Sequence, residues 1–444
     1  MRKLILIVLG VILIMLAMPQ LAVAKLDVKV GLVWNLAGES YVGFEVVQGN
    51  YALSADGKTL QNKVGPGVYY RLGSGPWGAV LFAEGNPLGV VKKVKLESVS
   101  GSLPVFRIYG SKATRTYRGS LELSVKDDGT LLAVNSLGEE EYLYGVVPIE
   151  MSNSWAVQGL EALKAQAVAA RTYLHSHYDA KQAKGFNITD SPNIDQAYSG
   201  YSAEGAASRA VDASAGEILV DINSLQPINT SYHSHSGGVT EDSENVWGGV
   251  DPHLRSKPDP YTFGQGFLGD SWNFTASATA LGRPMGLGPV VEIKLEKYPS
   301  GRVKNVKVKD VFGQTVSKTG RQFVGLYYPK DRGITNKDFL GNLFSFFVLE
   351  PGNSQAQQAL PDDLELFLKG SIPDYGPRLD RLDTSSTPPR NFSQPYPVYV
   401  FKGSGWGHGV GMSQWGAYGM AKQGYTYRQI LEYYYSDIKV IKAK

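Results

Sequence analysis

A chain of 444 residues with 43% hydrophobic and 19% charged residues has enough apolar material for two or three domains, or for one large domain with insertions. A net charge of +3 excludes both the charge imbalance of a disordered chain and the strongly basic balance of a nucleic-acid binder, so no nucleic-acid partner is expected. The absence of Cys excludes thiolate catalysis, Cys-ligated zinc and iron–sulfur chemistry, and a chain of this length can fold outside the cell on its core alone.

Residues 1–24 have the layout of an export signal. Arg2 and Lys3 precede an uncharged apolar run from Leu4 to Met18, and Ala22-Val23-Ala24 supplies a small-x-small site before Lys25. The run is short for a membrane span, which needs about 20 residues. An uncleaved anchor is the alternative, and it is the one way this chain is expected to meet a membrane. Either way the body is expected outside the cytoplasm, at the cell wall or secreted.

Residues 25–115 predict a β-rich region. Alternating runs at Val28–Trp34, Phe44–Ala55 and Val91–Val99 are broken by Gly and Pro, and Asp56-Gly57 and Asp128-Gly129 are hairpin turns. Leu121 to Val134 adds two strands around the second turn. From Leu137 the character changes, and Glu139–Val146 predicts a short helix ending near Pro148. Glu150 then falls just past a helix break, among Val146, Val147, Pro148, Ile149 and Met151. A carboxyl held against apolar neighbours loses hydration of its charged form, which suits a general acid. Ser154 is a plausible cap for the next helix, in which Leu160, Leu163, Ala167, Ala170 and Leu174 share one face and Gln166 and Arg171 fall on others.

Loops with the sequences NITDSPNIDQAYSG and TSYHSHSGGVTEDSENVWGG fill residues 187–250. Val291–Lys309 predicts paired strands about Ser300-Gly301, with Lys307 and Lys309 on a solvated face. Residues 351–397 read as a long surface excursion. The C-terminal segment alternates Gly at 405, 407, 409 and 411, which strips one face of side chains, and then turns helical. Gly424 suits the end of that helix and Thr426 the cap of another. The fold class is therefore α+β, with the β-rich part first and a mixed domain over 116–444.

Nucleophile-elbow, HExxH and Walker spacings are absent, and the glycines of 403–411 do not fit the dinucleotide spacing GxGxxG. His233 and His235 lack a nearby carboxylate, so a structural or substrate-contacting role is expected and no metal. His408, between glycines, reads as a hydrogen-bonding residue at a site wall. Asp190, Asp195 and Glu241 are the other carboxylates that could converge on Glu150, as a two-carboxylate glycosidase would need. Trp247, Trp406 and Trp415 sit in Gly-rich settings, where a ring can either pack in a core or stack on a sugar.

Together these segments resemble the stage II sporulation protein D family, which includes amidase-enhancer proteins of bacterial cell walls. The matching stretches are EEYLYGVVPIEM, LEALKAQAVAARTY, DQAYSG, HSHSGGVTEDSENVWGG and GWGHGVGMSQWGAYGMAKQGYTYRQILEYYY, in the family's order over about 140–444. The resemblance implies a lytic transglycosylase acting on peptidoglycan glycan strands without a cofactor, with the catalytic glutamate at Glu150. It sets Gln166, Arg171, Gln196, Tyr198, Ser234, Ser236 and Gln414 near the cleft, with Gly237, Gly238, His408 and Ser413 beside them. Some relatives carry Cys just ahead of the Gln-x-Tyr motif as metal ligands; Asp195 stands there in this chain, so no zinc is expected. Two other readings stay open: a wall-binding protein that stimulates an amidase, and a water-using muramidase with a second carboxylate.

Overall fold

The computed structural model describes residues 26–36, 38–75, 78–99, 103–110, 112–327, 343–349 and 397–443. The expected leader at 1–24 and nearly all of the excursion at 351–397 lie outside the described residues. The architecture is α+β, β-rich first and with helices after it. Two compact units make up the chain, Met1–Asn229 with Ile438–Lys444, and Thr230–Asp437. The boundary expected near 115 falls inside the first unit, because strands on both sides of it share the same sheets.

In the first unit, one antiparallel sheet holds β1 (Asp27–Gly31), β3 (Tyr51–Ala55), β4 (Lys58–Val64), β8 (Lys93–Ser98), β11 (Ser120–Val125) and β12 (Leu131–Gly138). With β13 (Ile188–Thr189), parallel to β1, its order is β13-β1-β12-β11-β8-β3-β4. A second antiparallel sheet holds β2 (Tyr41–Gln48), β5 (Tyr69–Gly75), β6 (Gly78–Ala83), β7 (Asn86–Val91), β9 (Val105–Tyr109) and β10 (Thr114–Arg118), in the order β10-β9-β2-β5-β6-β7. Period-two alternation turns Val42, Phe44, Tyr70, Leu72, Phe106 and Ile108 inward, and Tyr51 of the first sheet meets Phe106 of the second with ring centroids 6.3 Å apart. The run expected as one strand over Phe44–Ala55 is two, because Gly49 turns at φ +85° between β2 and β3. The Asp56-Gly57 hairpin forms with both residues at positive φ.

Next come α1 (Glu139–Glu150), α2 (Leu160–His177), α3 (Ser208–Ala213) and β14 (Glu217–Asp221), which pairs with β23 (Ile438–Lys442). The expected break at Pro148 does not occur. α1 runs through it, and the Met151 N–H still reaches the Val147 carbonyl at 2.9 Å. Pro148 lies in the last turn, so its ring removes one helical hydrogen bond near an end that would fray anyway. Ser154 does not cap α2; it sits in a 3-10 turn, Asn153–Ala156, whose cap is Ser152. α2 is buried almost all round rather than on one face, since α1, α3 and β14 pack against it.

The second unit contains three small sheets and its own core. β15 (Tyr232–His233) pairs in parallel with β22 (Met412–Ser413), and α4 (Ser243–Trp247) follows β15. β16 (Trp272–Ser277) and β20 (Leu343–Leu349) flank β21 (Val398–Ser404), with α5 (Ala278–Gly282) after β16. β17 (Val290–Lys297), β18 (Val303–Asp310) and β19 (Thr315–Thr319) form the third sheet and lead into α6 (Gly320–Tyr327). Ile293, Val306, Val308, Phe323, Tyr399 and Phe401 build the core here, while Lys307 and Lys309 face solvent as their alternation predicts. α7 (Gln414–Lys422) and α8 (Tyr427–Tyr434) end the unit, with Gly424 at φ +89° after α7 and Thr426 capping α8 through Gln429.

Candidate functional site

Glu150 is the last residue of α1, half-buried, and its Oε1 accepts a hydrogen bond from the Ala197 N–H at 2.8 Å. That donor is held on both sides. Tyr142, two turns earlier on α1, donates from its hydroxyl to Gln196 Oε1 at 3.0 Å, and Gln196 Nε2 donates to the Ala170 carbonyl of α2 at 3.3 Å. Tyr198 donates to Asn135 Oδ1 at 2.7 Å, and its ring packs between those of Tyr117 and Tyr142. Burial pushes the Tyr142 and Tyr198 hydroxyls well above the usual range, so both remain donors. The DQAYSG segment thus supplies a fixed amide to a carboxyl at a helix end. Of the apolar neighbours expected around Glu150, Val146, Val147, Pro148 and Met151 are buried, whereas Ile149 is 42% exposed.

The other expected residues of this unit have partners of their own, apart from Gln166. Arg171 is fully buried; its Nη2 and Nε reach Glu140 at 2.6 and 3.1 Å, and its Nη1 donates to the Glu217 carbonyl at 2.9 Å. Gln166 is equally buried, and neither atom of its amide has a hydrogen-bond partner among the described residues, a cost of roughly 1–3 kcal/mol. Asp190 accepts from the Trp34 and Asn35 N–H groups. Asp195, at the position of the relatives' Cys, accepts from the Thr189 N–H and hydroxyl and sits 2.7 Å from the Lys181 ammonium. A lysine already supplies the cation there, so these residues do not fit a metal.

The second unit assembles the glycine-alternating tail and the SHSGG loop. β15 and β22 pair Tyr232 with Met412 and His233 with Ser413, and His235 bridges to Trp406. Gly411 permits this, since a Cβ there would collide with the Ser231 carbonyl oxygen. Ser413 caps α7 and accepts from the Gly416 and Ser236 N–H groups; the Ser236 hydroxyl accepts from the Gly238 N–H. Gly237 and Gly238 take positive φ, and the Ser234 carbonyl accepts from the Trp415 N–H. Gln414 is buried at the start of α7. Ser236 and Ser413 are therefore structural groups of the loop pair, and Ser234 remains half-buried.

Burial holds His233, His235 and His408 below the usual imidazole range. His233 Nδ1 donates to the Val410 carbonyl at 3.1 Å, which leaves Nε2 a bare acceptor, buried and without a partner among the described residues. Burial first, then His408 and Arg302, hold His233 well below the usual imidazole range. His408 accepts from the Val410 N–H at Nδ1, and burial lowers it to about 4. Its ring lies 5.1 Å from that of Trp247, which is 48% exposed, whereas Trp406 and Trp415 sandwich Phe267 in a half-buried stack.

Sequence reasoning missed Arg302 and Asp259. Arg302 is buried, donates to the Val239 and Ser236 carbonyls at 2.8 and 2.5 Å, and falls to about 10 through burial. Gly409 makes its room, because a Cβ there would lie 2.6 Å from the guanidinium. Asp259 is buried, takes the Tyr434 hydroxyl at 2.9 Å, and has its carboxyl pushed up by burial. The alternating glycines were the one signal for the first; nothing in the sequence marked the second. Glu241 is buried beside Arg302, with Asn245 and Ser300 as partners.

Fold and site define a two-unit α+β protein that carries one helix-end carboxyl on an amide-bearing loop. Residues 127–220, which contain that carboxyl and its loop, match the stage II sporulation protein family model. The chain is 30% identical to the amidase enhancer of Bacillus subtilis over 66% of its own length, and spans 39% of that relative. It is 28% identical to stage II sporulation protein D of the same organism, over 70% of this chain and 76% of the relative. An uncharacterized protein of Brachyspira hyodysenteriae is 28% identical over 80% of this chain and 78% of its own length. The chain is thus similar over most of its length to stage II sporulation protein D and amidase-enhancer proteins, and the family match itself covers residues 127–220.

Proposed function

We propose that the chain works on the cell wall as a lytic transglycosylase that cuts peptidoglycan glycan strands between N-acetylmuramic acid and N-acetylglucosamine. The observation that carries this reading is the Glu150 carboxyl, held by the Ala197 amide inside the family-matched region. As the acid it protonates the departing glycosidic oxygen while the C1–O bond breaks. As the carboxylate it then takes the proton of the muramic C6 hydroxyl, whose oxygen bonds to C1 and closes a 1,6-anhydro ring. The proton is returned, no water is consumed, and one carboxyl serves both steps because the nucleophile belongs to the substrate. Hydrolysis with paired carboxylates would instead consume water. An exported protein, secreted or anchored by its leader, would meet this substrate outside the membrane. The test is product analysis by mass spectrometry on purified glycan. Wild type is expected to give anhydro-muropeptides with no reducing end, and Glu150→Gln none, with folding intact; an active Glu150→Gln variant refutes the assignment.

The amidase-enhancer relative favours a second reading, a wall-binding protein that stimulates an amidase and cuts nothing. Glycan strands lacking stem peptides separate the two, since binding without cleavage supports the stimulator.

A further inference from the structure

We infer that the outer face of the six-stranded sheet in the first unit is a separate saccharide-binding surface, one that takes the peptidoglycan glycan strand. The inference rests on the cell-wall reading but not on cleavage by Glu150. Val42, Phe44 and Val46 of β2, Tyr70 and Leu72 of β5, and Phe106 and Ile108 of β9 are buried in the core, so the positions that alternate with them face away from it. Those positions hold rings where solvated sheet faces ordinarily hold polar chains. Tyr41 is 59% exposed and Tyr69 38% exposed, with Tyr109 and Phe82 half-buried between neighbouring strands.

Register sets the rings together. Gly43 stands opposite Arg71 on one side and Tyr109 on the other, and Glu45 stands opposite Tyr69. Because Gly43 has no side chain, Tyr69 lies across β2; a Cβ at 43 would collide with its hydroxyl. The Tyr69 ring meets that of Tyr109 edge to face at 5.4 Å. Tyr109 donates to Glu45 at 2.9 Å, and Glu45 also holds Arg107, so the rings and their polar neighbours are fixed in place. A glycine inside a strand marks a close approach, and here the approaching group is a ring laid flat.

The occupant follows from the mixture. Exposed tyrosines have a bland explanation in β propensity, which accounts for single rings but not for a pinned cluster over a glycine. Arg71 lies 4.9 Å over the Phe82 ring and has no ion pair among the described residues. Flat rings accept the C–H faces of pyranoses, the Tyr109 and Glu45 oxygens hydrogen-bond hydroxyl and acetamido groups, and the Arg71 cation matches the lactyl carboxylate that muramic acid exposes where the stem peptide has been removed. A purely apolar partner would leave the Arg71 guanidinium desolvated without a counter-charge.

The test is co-sedimentation of the full chain with insoluble peptidoglycan stripped of its anionic polymers, in a Glu150→Gln background so that the strand stays uncut. Tyr41→Ala/Tyr69→Ala is expected to weaken retention about tenfold or more, Tyr41→Ala alone about threefold, and Tyr41→Trp not at all. Arg71→Gln is expected to weaken binding to glycan strands stripped of stem peptides, which carry the free lactyl carboxylate, but not to chitin, which lacks it. Soluble glycan fragments should release the wild type. Undiminished retention in the double variant, or retention that fragments do not compete, overturns the proposal; the latter would point to a protein or lipid occupant. Should the double variant fail to fold by circular dichroism, Tyr41→Ala decides alone, because that ring is mostly solvated. Cleavage of short soluble glycan by the Tyr variants with Glu150 intact scores the transglycosylase reading separately.

Discussion

Replacing Arg171 by Met tests whether the most motif-like basic residue of this chain serves the fold or a ligand. The guanidinium is fully buried and makes three hydrogen bonds, two to Glu140 and one to the Glu217 carbonyl. Glu140 also accepts from the Gly216 N–H at 2.9 Å. Met fills much of the volume but leaves a mostly buried carboxylate and a carbonyl unsatisfied. Breaking a buried ion pair from one side costs about 3–5 kcal/mol, a large part of the roughly 5–15 kcal/mol by which domains are stable. Denaturation followed by circular dichroism, with hydrogen exchange at the α2 and β14 amides to isolate the first unit, measures it. Glu140→Gln/Arg171→Met should recover part of the loss, since the stranded charge is removed. A variant within about 1 kcal/mol of wild type that loses glycan binding instead would refute the scaffold role and put Arg171 on the ligand.

Tyr198→Phe should cost about 1 kcal/mol through the lost Asn135 bond and lower the cleavage rate more than it changes KM, because Ala197 then holds Glu150 less firmly; steady-state kinetics checks the split. Gly411→Ala should destabilise the second unit by at least about 2–3 kcal/mol, combining strain at φ +73° with a backbone collision, as hydrogen exchange across β15 and β22 would report. Acid should loosen the same unit. His408, beside Arg302 and His233, has a folded pKa of about 4 against about 6.5 unfolded, so stability present above pH 6.5 is lost as pH falls toward 4, by up to about 3 kcal/mol. Asp259, pushed up by burial, opposes that loss at the acid end. Melting at pH 7 and pH 4.5 reads the sum, and a flat profile would contradict it.

Local alternation and turn chemistry were enough to find the strands of the first unit, the Asp56-Gly57 hairpin, the paired strands about Ser300-Gly301 and the Thr426 cap. Those features depend on neighbours within a few residues, and such neighbours are visible in a linear chain. The sequence also singled out Glu150 as a candidate, from its apolar context and the motifs around it. Other features were settled by residues far away in sequence. α1 passes through Pro148 because the surrounding unit packs that turn. Gln166 and Arg171 sit on different helix faces yet are both buried, because α2 is enclosed on several sides, which periodicity cannot tell from a surface helix. The aromatic face of the second sheet needed the register of β2 against β5 and β9, and Arg302 needed the space that Gly409 leaves. Sequence by itself determined where several strands, the hairpin turns and the Thr426 cap fall; tertiary structure decided which side chains reach solvent. Burial is a property of everything that packs around a residue, and that material lies tens of positions or more away along the chain.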